Sequence, residues 1–444
     1  MADIAPFRGF RYDPQRVSLN KVVTQPYDKI TPAMQDIYYS ASSYNLVRVI
    51  LGKAQPGDSD TSNTYTRAAA NFSNWKKDGV LTQDPEPSLY RYTQTFRVPA
   101  SAIGRGGTDS VELERVGFIG AGRIHDYSDQ VVFRHEQTLA KPKSDRLNLL
   151  RATRAHFGQI FMLYSDPESA VDSILSGAAK NAAADASITD EYGVIHRLWR
   201  ISDPDSVQAA QQRMCDKKLI IADGHHRYET ALNYRNERRA LNNSPDPNAP
   251  YERVMMTFVN MEAPGLVILP THRVVFGLAD FHESSFLSAA QPYFEAVPLE
   301  SSATLESSLA RLREVGRSTP SVLAVTKNSI FILQAKPGAA DSLLRQYTPA
   351  QSQLDVVQLH KVLLENVLSL SEESIRNQEN LNYIRDAEEA VTRVHDGEAQ
   401  VAFIMNPCRM EQIRDIAFAG GVLPQKSTDF YPKLLSGLTI YALE

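Results

Sequence analysis

The segment Leu219-Ile220-Ile221-Ala222-Asp223-Gly224-His225-His226-Arg227-Tyr228-Glu229-Thr230 constrains the fold more than any other part of this chain. Its first four residues form an unbroken apolar run, short enough for a buried strand. Asp223-Gly224 follows as a turn signal, and Tyr228, Ala231 and Leu232 then share one face of a helix. A strand that hands straight over to a helix belongs to a layered architecture of both element types. It also presents the first N–H groups of the helix, at the positive end of the dipole, beside a glycine that permits a tight turn. Such a junction favours an anion. Arg227 adds planar bidentate donors suited to phosphate, and His225 and His226 add imidazoles that donate or accept. The plain alternative is a turn in which Asp223 caps the helix and the histidines pack.

Strand and helix patterns alternate through the rest of the chain, so the expected class is mixed α/β. Tyr90, Tyr92 and Phe96 alternate with polar residues as in a half-buried strand. Val116 to Ile124, Ile160 to Tyr164, Val254 to Asn260, Leu266 to Leu269 and Val401 to Met405 are further strand candidates. Asp166 to Asp190 reads as a helix rich in Ala and Ser. Leu305, Leu309 and Leu312 mark an amphipathic helix, Ser321–Thr326 and Ile330–Gln334 flank a hairpin turn, and Val356 to Leu368 reads as a longer helix. Expected parts are an N-terminal region 1–165, a central region 166–271 and a C-terminal region 272–444.

Lys plus Arg number 47 against 52 Asp plus Glu, a formal charge of −5. That balance argues against a bulk nucleic-acid binder. No apolar run reaches the roughly 18 residues of a membrane span, and residues 1–10 lack the order of a signal peptide. A cytoplasmic protein with no nucleic-acid or membrane partner is the expectation. The two cysteines, Cys215 and Cys408, are too few for a disulfide framework.

Against this acidic background, positive charge is concentrated twice. Residues 134–154 carry six Lys or Arg against two acids, and residues 217–239 six against three. The first stretch contains His135, Glu136, Thr138, Lys143, Arg146 and Arg151. Its chemistry is that of a held small anion, and its plain alternative is a solvated basic helix face. His225 and Glu229 stand four apart, as metal ligands on a helix would, but the zincin pattern is absent. No Gly-x-Ser-x-Gly elbow, Walker-A loop or Gly-x-Gly-x-x-Gly turn occurs. Pro424 to Lys433 packs two Lys, two hydroxyls and two aromatics into ten residues, as a pocket wall, an interface loop or an ordinary Pro-bounded loop would.

Pro26-Tyr27-Asp28, His135-Glu136-Gln137-Thr138, Lys143-Ser144-Asp145-Arg146, Ala222-Asp223-Gly224-His225-His226-Arg227 and Lys426-Ser427-Thr428 through Lys433-Leu434 together resemble the bacterial domain-of-unknown-function 1015 family. The resemblance implies a ParB/sulfiredoxin-like core with extra N- and C-terminal α/β regions. Its Asp-Gly-His-His-Arg turn is similar to the phosphate-binding turn of that superfamily. Sulfiredoxins carry a cysteine there, so sulfinic-acid repair is not expected of this chain. By motif, free-serine kinases are the similar enzymes, and they imply an upstream Glu acting on the serine hydroxyl.

The leading expectation is a phosphotransferase using ATP or ADP with Mg²⁺ and a small hydroxyl metabolite, L-serine first. Gly224 to Arg227 would cradle phosphates, with Arg227 and either Lys143 or His226 neutralising charge. Glu136 or Asp223 would serve as general base, and Asp223 would touch Mg²⁺. Arg146 or Arg151 would hold the acceptor carboxylate, with His135 and Thr138 beside it. A non-catalytic nucleotide-binding regulator is the alternative, and a metal-dependent hydrolase a third. A homodimer is possible on the frequency with which large α/β enzymes pair.

Overall fold

The computed structural model describes residues 2–103, 109–136, 140–242, 246–300 and 302–443. The chain is mixed α/β, built on two sheets. The larger has nine strands, and most neighbours pair antiparallel. Its long central hairpin is Leu89–Pro99 against Ser110–Arg123. Around it stand Ile195–Ile201 and Ala186–Thr189 on one side, and Arg253–Asn260, Ile160–Tyr164, Leu219–Asp223 and Val132–Phe133 on the other. Strands from both sides of position 165/166 therefore share one sheet.

Alternation along Ile160–Tyr164 shows how the sheet is buried on two faces. Ile160, Met162 and Tyr164 pack with Val171, Leu175, Val207, Ala210 and Met214 of the helices Ala170–Ala179 and Pro204–Met214, and with Tyr228 and Ala231 of the helix His225–Leu241. Phe161 and Leu163 point the other way, into a core continuous with Phe430, Leu434, Leu435 and Leu438. Each large apolar side chain so buried stabilises the fold by roughly 1.5–3 kcal/mol before entropy.

The second sheet has six strands in the order Phe294–Pro298, Ile330–Ala335, Ser321–Val325, Val401–Met405, His272–Val275, Leu381–Ile384, all antiparallel. After it the chain returns to segments that precede this sheet. Asp429–Tyr431 pairs with Val267–Leu269, and Tyr441–Ala442 pairs with Ala155–His156. No helix among the described residues is long and apolar enough to cross a membrane.

Two elements differ from their sequence reading. The expected helix over 166–190 is helical only at Ala170–Ala179, and Ala186–Thr189 is a strand. Ala favours helix, but Ile188 and Thr189 are β-branched, and pairing with Ile195–Leu198 across a turn at Gly193 (φ 75°) fixes the segment as a strand. The helix expected over 356–368 starts at Asp355–Gln358 and widens over Leu359–Val367, where Leu368 N–H bonds back to Leu363. Such widened turns are uncommon and leave no periodic mark in sequence.

Candidate anion-binding site

The strand Leu219–Asp223 ends at Gly224, whose φ of 94° lies in the left-handed region that glycine enters freely. The helix His225–Leu241 starts at once. Its first backbone bond runs from Tyr228 N–H to Gly224 O, so the N–H groups of residues 225–227 have no acceptor within the helix. Gly224 is the N-cap position and no side chain caps it. Asp223 is thus not a cap. Its Oδ2 accepts from Arg227 Nη2 at 2.6 Å and its Oδ1 from Lys433 Nζ at 2.9 Å. The Arg227 guanidinium also donates to Gln159 O and lies over Gly224, where a Cβ would come within 3.1 Å of it.

Lys433 reaches Asp223 because its backbone is clamped. Arg115, fully buried on the central hairpin, donates to Tyr431 O at 3.1 Å and to Pro432 O, and its Nε donates to Gln94 Oε1 at 3.0 Å. Gln94 in turn donates to Lys433 O at 2.8 Å. The Lys433 ammonium also faces Asp429 Oδ1 at 3.2 Å, and Arg385 Nε meets the other oxygen of Asp429 at 2.6 Å. Lys29, in the short helix Tyr27–Lys29, is close enough to feel Lys433, Asp429, Lys426 and Asp223. Lys29, Arg227, Arg385, Lys426 and Lys433 thus face Asp28, Asp223 and Asp429, a surplus of positive charge at the N-terminal end of a helix.

Electrostatics follow from this packing. Burial pushes the Asp223 carboxyl up, but Lys433 and Arg227 outweigh it and hold the carboxyl well below the usual range. Burial pulls Lys433 down, and Asp223 and Asp429 more than restore it. Lys29 is lowered by burial and by the like charge of Lys433. Burial also lowers His135 and His225, which keeps both rings neutral.

His135 and Glu136 stand where Val132–Phe133 ends. His135 Nδ1 donates to Ile221 O at 2.7 Å, its Nε2 lies 2.8 Å from Thr428 Oγ1, and its ring meets that of His225 edge-on at 4.9 Å. Thr428 Oγ1 also lies 3.2 Å from Glu136 Oε1. Residue 136 is bridged to Leu423, and Leu423 N–H bonds to His135 O at 2.7 Å.

The structure therefore brings together Asp223, Gly224, His225, Arg227, His135 and Glu136. His226 sits half-buried on the first turn of the helix, where its carbonyl accepts from Thr230 Oγ1 at 2.7 Å. Arg146 stacks over Tyr27 at 4.2 Å and lines a small pocket of ≈ 70 Å³ with Arg227 and Gly158. Arg151 is placed elsewhere, half-exposed and paired with Glu237 at 2.5 Å. Thr138 lies outside the described residues, as does the side chain of Lys143. Sequence reasoning missed Lys29, Asp429 and the specific part of Lys433. The one signal for Lys433 was the dense segment that ends on it. Ser427 and Tyr431 of that segment line a larger cavity of ≈ 1510 Å³ with Arg273, Asp355, Arg385 and Cys408.

Fold and site define an α/β protein with a charged strand–turn–helix junction closed by its own C-terminal tail. The chain belongs to the DUF1015 family: the model of that family, described as a protein of unknown function, matches residues 4–357. No curated protein sequence matches it. Similar solved structures include a conserved hypothetical protein from Pyrococcus furiosus, 13% identical, covering 69% of this chain and 92% of that one at a TM-score of 0.35. A free serine kinase in complex with AMP is 14% identical, covers 69% and 89%, and has a TM-score of 0.35. SbnI with a C-terminal truncation, from Staphylococcus aureus, is 10% identical, covers 72% and 87%, and has a TM-score of 0.34. Likeness at this distance says nothing of activity.

Proposed function

We propose that this chain holds a nucleotide by its phosphates at the Gly224 turn and transfers a phosphoryl group to the hydroxyl of a small metabolite, with L-serine the first acceptor to test. The observation that carries the reading is the surplus of cations at the first turn of the helix, with Glu136 joined through Thr428 to His135 and hydrogen-bonded there to a hydroxyl. Phosphoryl transfer asks mainly for positioning and charge stabilisation, which such a constellation supplies.

In this reading the N–H groups of residues 225–227, Lys433 and Lys29 meet the phosphates. Asp223 anchors Arg227 and Lys433. With both oxygens facing cations it does not fit as a Mg²⁺ ligand, and no step runs through a metal. The base role goes to Glu136. As the acceptor oxygen bonds to phosphorus, the bond from phosphorus to the nucleotide's bridging oxygen breaks and the hydroxyl proton passes to Glu136. Arg146, beside Arg227, takes the acceptor's carboxylate.

The test is incubation of the purified protein with Mg²⁺, ATP or ADP and pooled hydroxyl amino acids and hydroxy acids, read by mass spectrometry. A phosphorylated acceptor is expected. Glu136→Gln should lower turnover at least about 100-fold and leave nucleotide affinity nearly unchanged, and Arg227→Ala should lower both. Nucleotide that binds and stays unchanged with every acceptor would overturn the reading in favour of a regulatory binder.

A further inference from the structure

Thr428 Oγ1 sits between two groups that both ask for its proton. It lies 2.8 Å from His135 Nε2 and 3.2 Å from Glu136 Oε1. On the other side of the imidazole, Nδ1 faces Ile221 O at 2.7 Å. A carbonyl oxygen can only accept, so Nδ1 carries a proton, and in a neutral ring Nε2 is then bare and must also accept. An ionised carboxylate is likewise acceptor-only. A threonine hydroxyl has one proton to give.

The trio is therefore one proton short. With Glu136 ionised, Thr428 serves either Glu136 or His135, and the other contact sets lone pair against lone pair. Add one proton to Glu136 and both contacts become hydrogen bonds: Glu136 donates to Thr428, and Thr428 donates to His135. We infer that Glu136, Thr428 and His135 form a one-proton relay, in which the Thr428 hydroxyl turns from Glu136 to His135 as Glu136 takes up a proton. Thr428 and His135 are positioning residues in this scheme, and neither touches substrate.

Burial keeps a second proton off the ring. Around His135 stand the His225 ring, Glu136, Asp223 and Lys433; the two carboxylates favour an imidazolium, and burial outweighs them. Around Glu136 stand Arg273, Tyr383 and Cys408. Arg273 is itself buried and fixed on the same segment, donating to Lys426 O at 3.0 Å. The register of Thr428 against Glu136 is thus set by Arg273 beneath it and by the Leu423 bridge beside it. The use of the relay rests on the phosphotransferase reading: a base that becomes better hydrogen-bonded once protonated draws the proton from an acceptor hydroxyl. The relay itself needs no ligand.

It is tested on the full-length protein without nucleotide. Infrared difference spectra across a pH titration follow the protonated carboxyl band of Glu136, which is assigned by its loss in Glu136→Gln. Thr428→Val deletes both hydrogen bonds of the protonated state and one of the ionised state. The midpoint should fall by about one pH unit, the worth of one hydrogen bond. Thr428→Ser keeps the hydroxyl and should keep the midpoint, and Thr428→Ala replaces the valine variant if that variant fails to fold. Equal midpoints in the wild type and the hydroxyl-free variant overturn the relay, even in a protein that phosphorylates an acceptor. A lowered midpoint in a protein that phosphorylates nothing upholds the relay and removes its catalytic use.

Discussion

Lys433 and Asp223 lie 210 residues apart in the chain, and their side chains meet at 2.9 Å. The contact is the point at which the C-terminal tail, threaded back past Arg115 and Gln94, closes on the strand–turn–helix junction. Both groups are mostly shielded, with side-chain exposures of 11% and 20%. Each is therefore the main compensation for the other's lost hydration.

Lys433→Met should be costly for that reason. It leaves Asp223 to Arg227 and the more distant Lys29, and Asp429 to Arg385 and Lys29, so unfolding free energy should fall by about 3 kcal/mol. Urea denaturation with a far-ultraviolet readout checks this, and an unchanged midpoint would show that the contact contributes nothing to folding. Phosphate or nucleotide affinity, measured calorimetrically on the folded variant, should fall as well.

Gly224→Ala combines two penalties. The backbone sits at φ 94°, and the new methyl group would lie 3.1 Å from Cζ, Nε and Nη2 of Arg227. The conformational cost alone is roughly 1–2 kcal/mol, and displacing the guanidinium disturbs its contacts with Asp223 and Gln159. Thermal melting should show the loss, and nucleotide titration should show binding weakened beyond what stability explains. A variant that binds normally would mean that the turn is not where the anion sits.

The strand–turn–helix junction was legible because three local signals agree there: an apolar run, Asp-Gly, and a helical face of Tyr228, Ala231 and Leu232. Nothing local marks Lys29, and Asp429 falls in the dense Pro424 to Lys433 segment with nothing to set it apart. Their charges meet Asp223 through tertiary pairing of segments hundreds of residues apart, and sequence periodicity carries no register between such segments. Ala186–Thr189 was hidden for a related reason: Ile188 and Thr189 suit a strand, but so short a signal is settled only by Ile195–Leu198 opposite it. Arg146 and Arg151 looked equivalent in the basic run. Their five-residue separation on the helix Ala140–Thr153 sends one over the Tyr27 ring and the other toward Glu237.

Arg151→Ala accordingly serves as the contrast. The Arg151–Glu237 pair is half-exposed on both sides, and exposed ion pairs of this kind contribute about 0–1 kcal/mol. Stability should change by no more than about 0.5 kcal/mol and nucleotide affinity should not change. A large loss of acceptor affinity in Arg151→Ala, with Arg146→Ala silent, would reverse the assignment of the carboxylate-binding arginine.

Acid should weaken the fold through histidines buried in their neutral form. His272 is 2% exposed, and its Nδ1 accepts from Met405 N–H at 3.1 Å, a bond that a proton on Nδ1 would break. Burial and the neighbouring Arg273 lower it to about 4, against about 6.5 in an unfolded chain. Between those values the unfolded chain binds a proton that the folded chain refuses. Stability therefore rises with pH through the window and is lost as pH falls below about 6.5. The slope is up to about 1.4 kcal/mol per pH unit for each such group, and His135 and His225, also lowered by burial, add to it with the same sign. Carboxylates held low, such as Asp223 and Asp429, contribute their loss only at more acidic pH, below the ordinary value of about 3.9. Urea midpoints measured from neutral pH down to about 5 should fall steadily across this histidine window. In His272→Asn the amide oxygen can still accept from Met405 N–H but does not titrate, so the slope should become shallower. An equal slope in that variant would place the acid-sensitive group outside the second sheet.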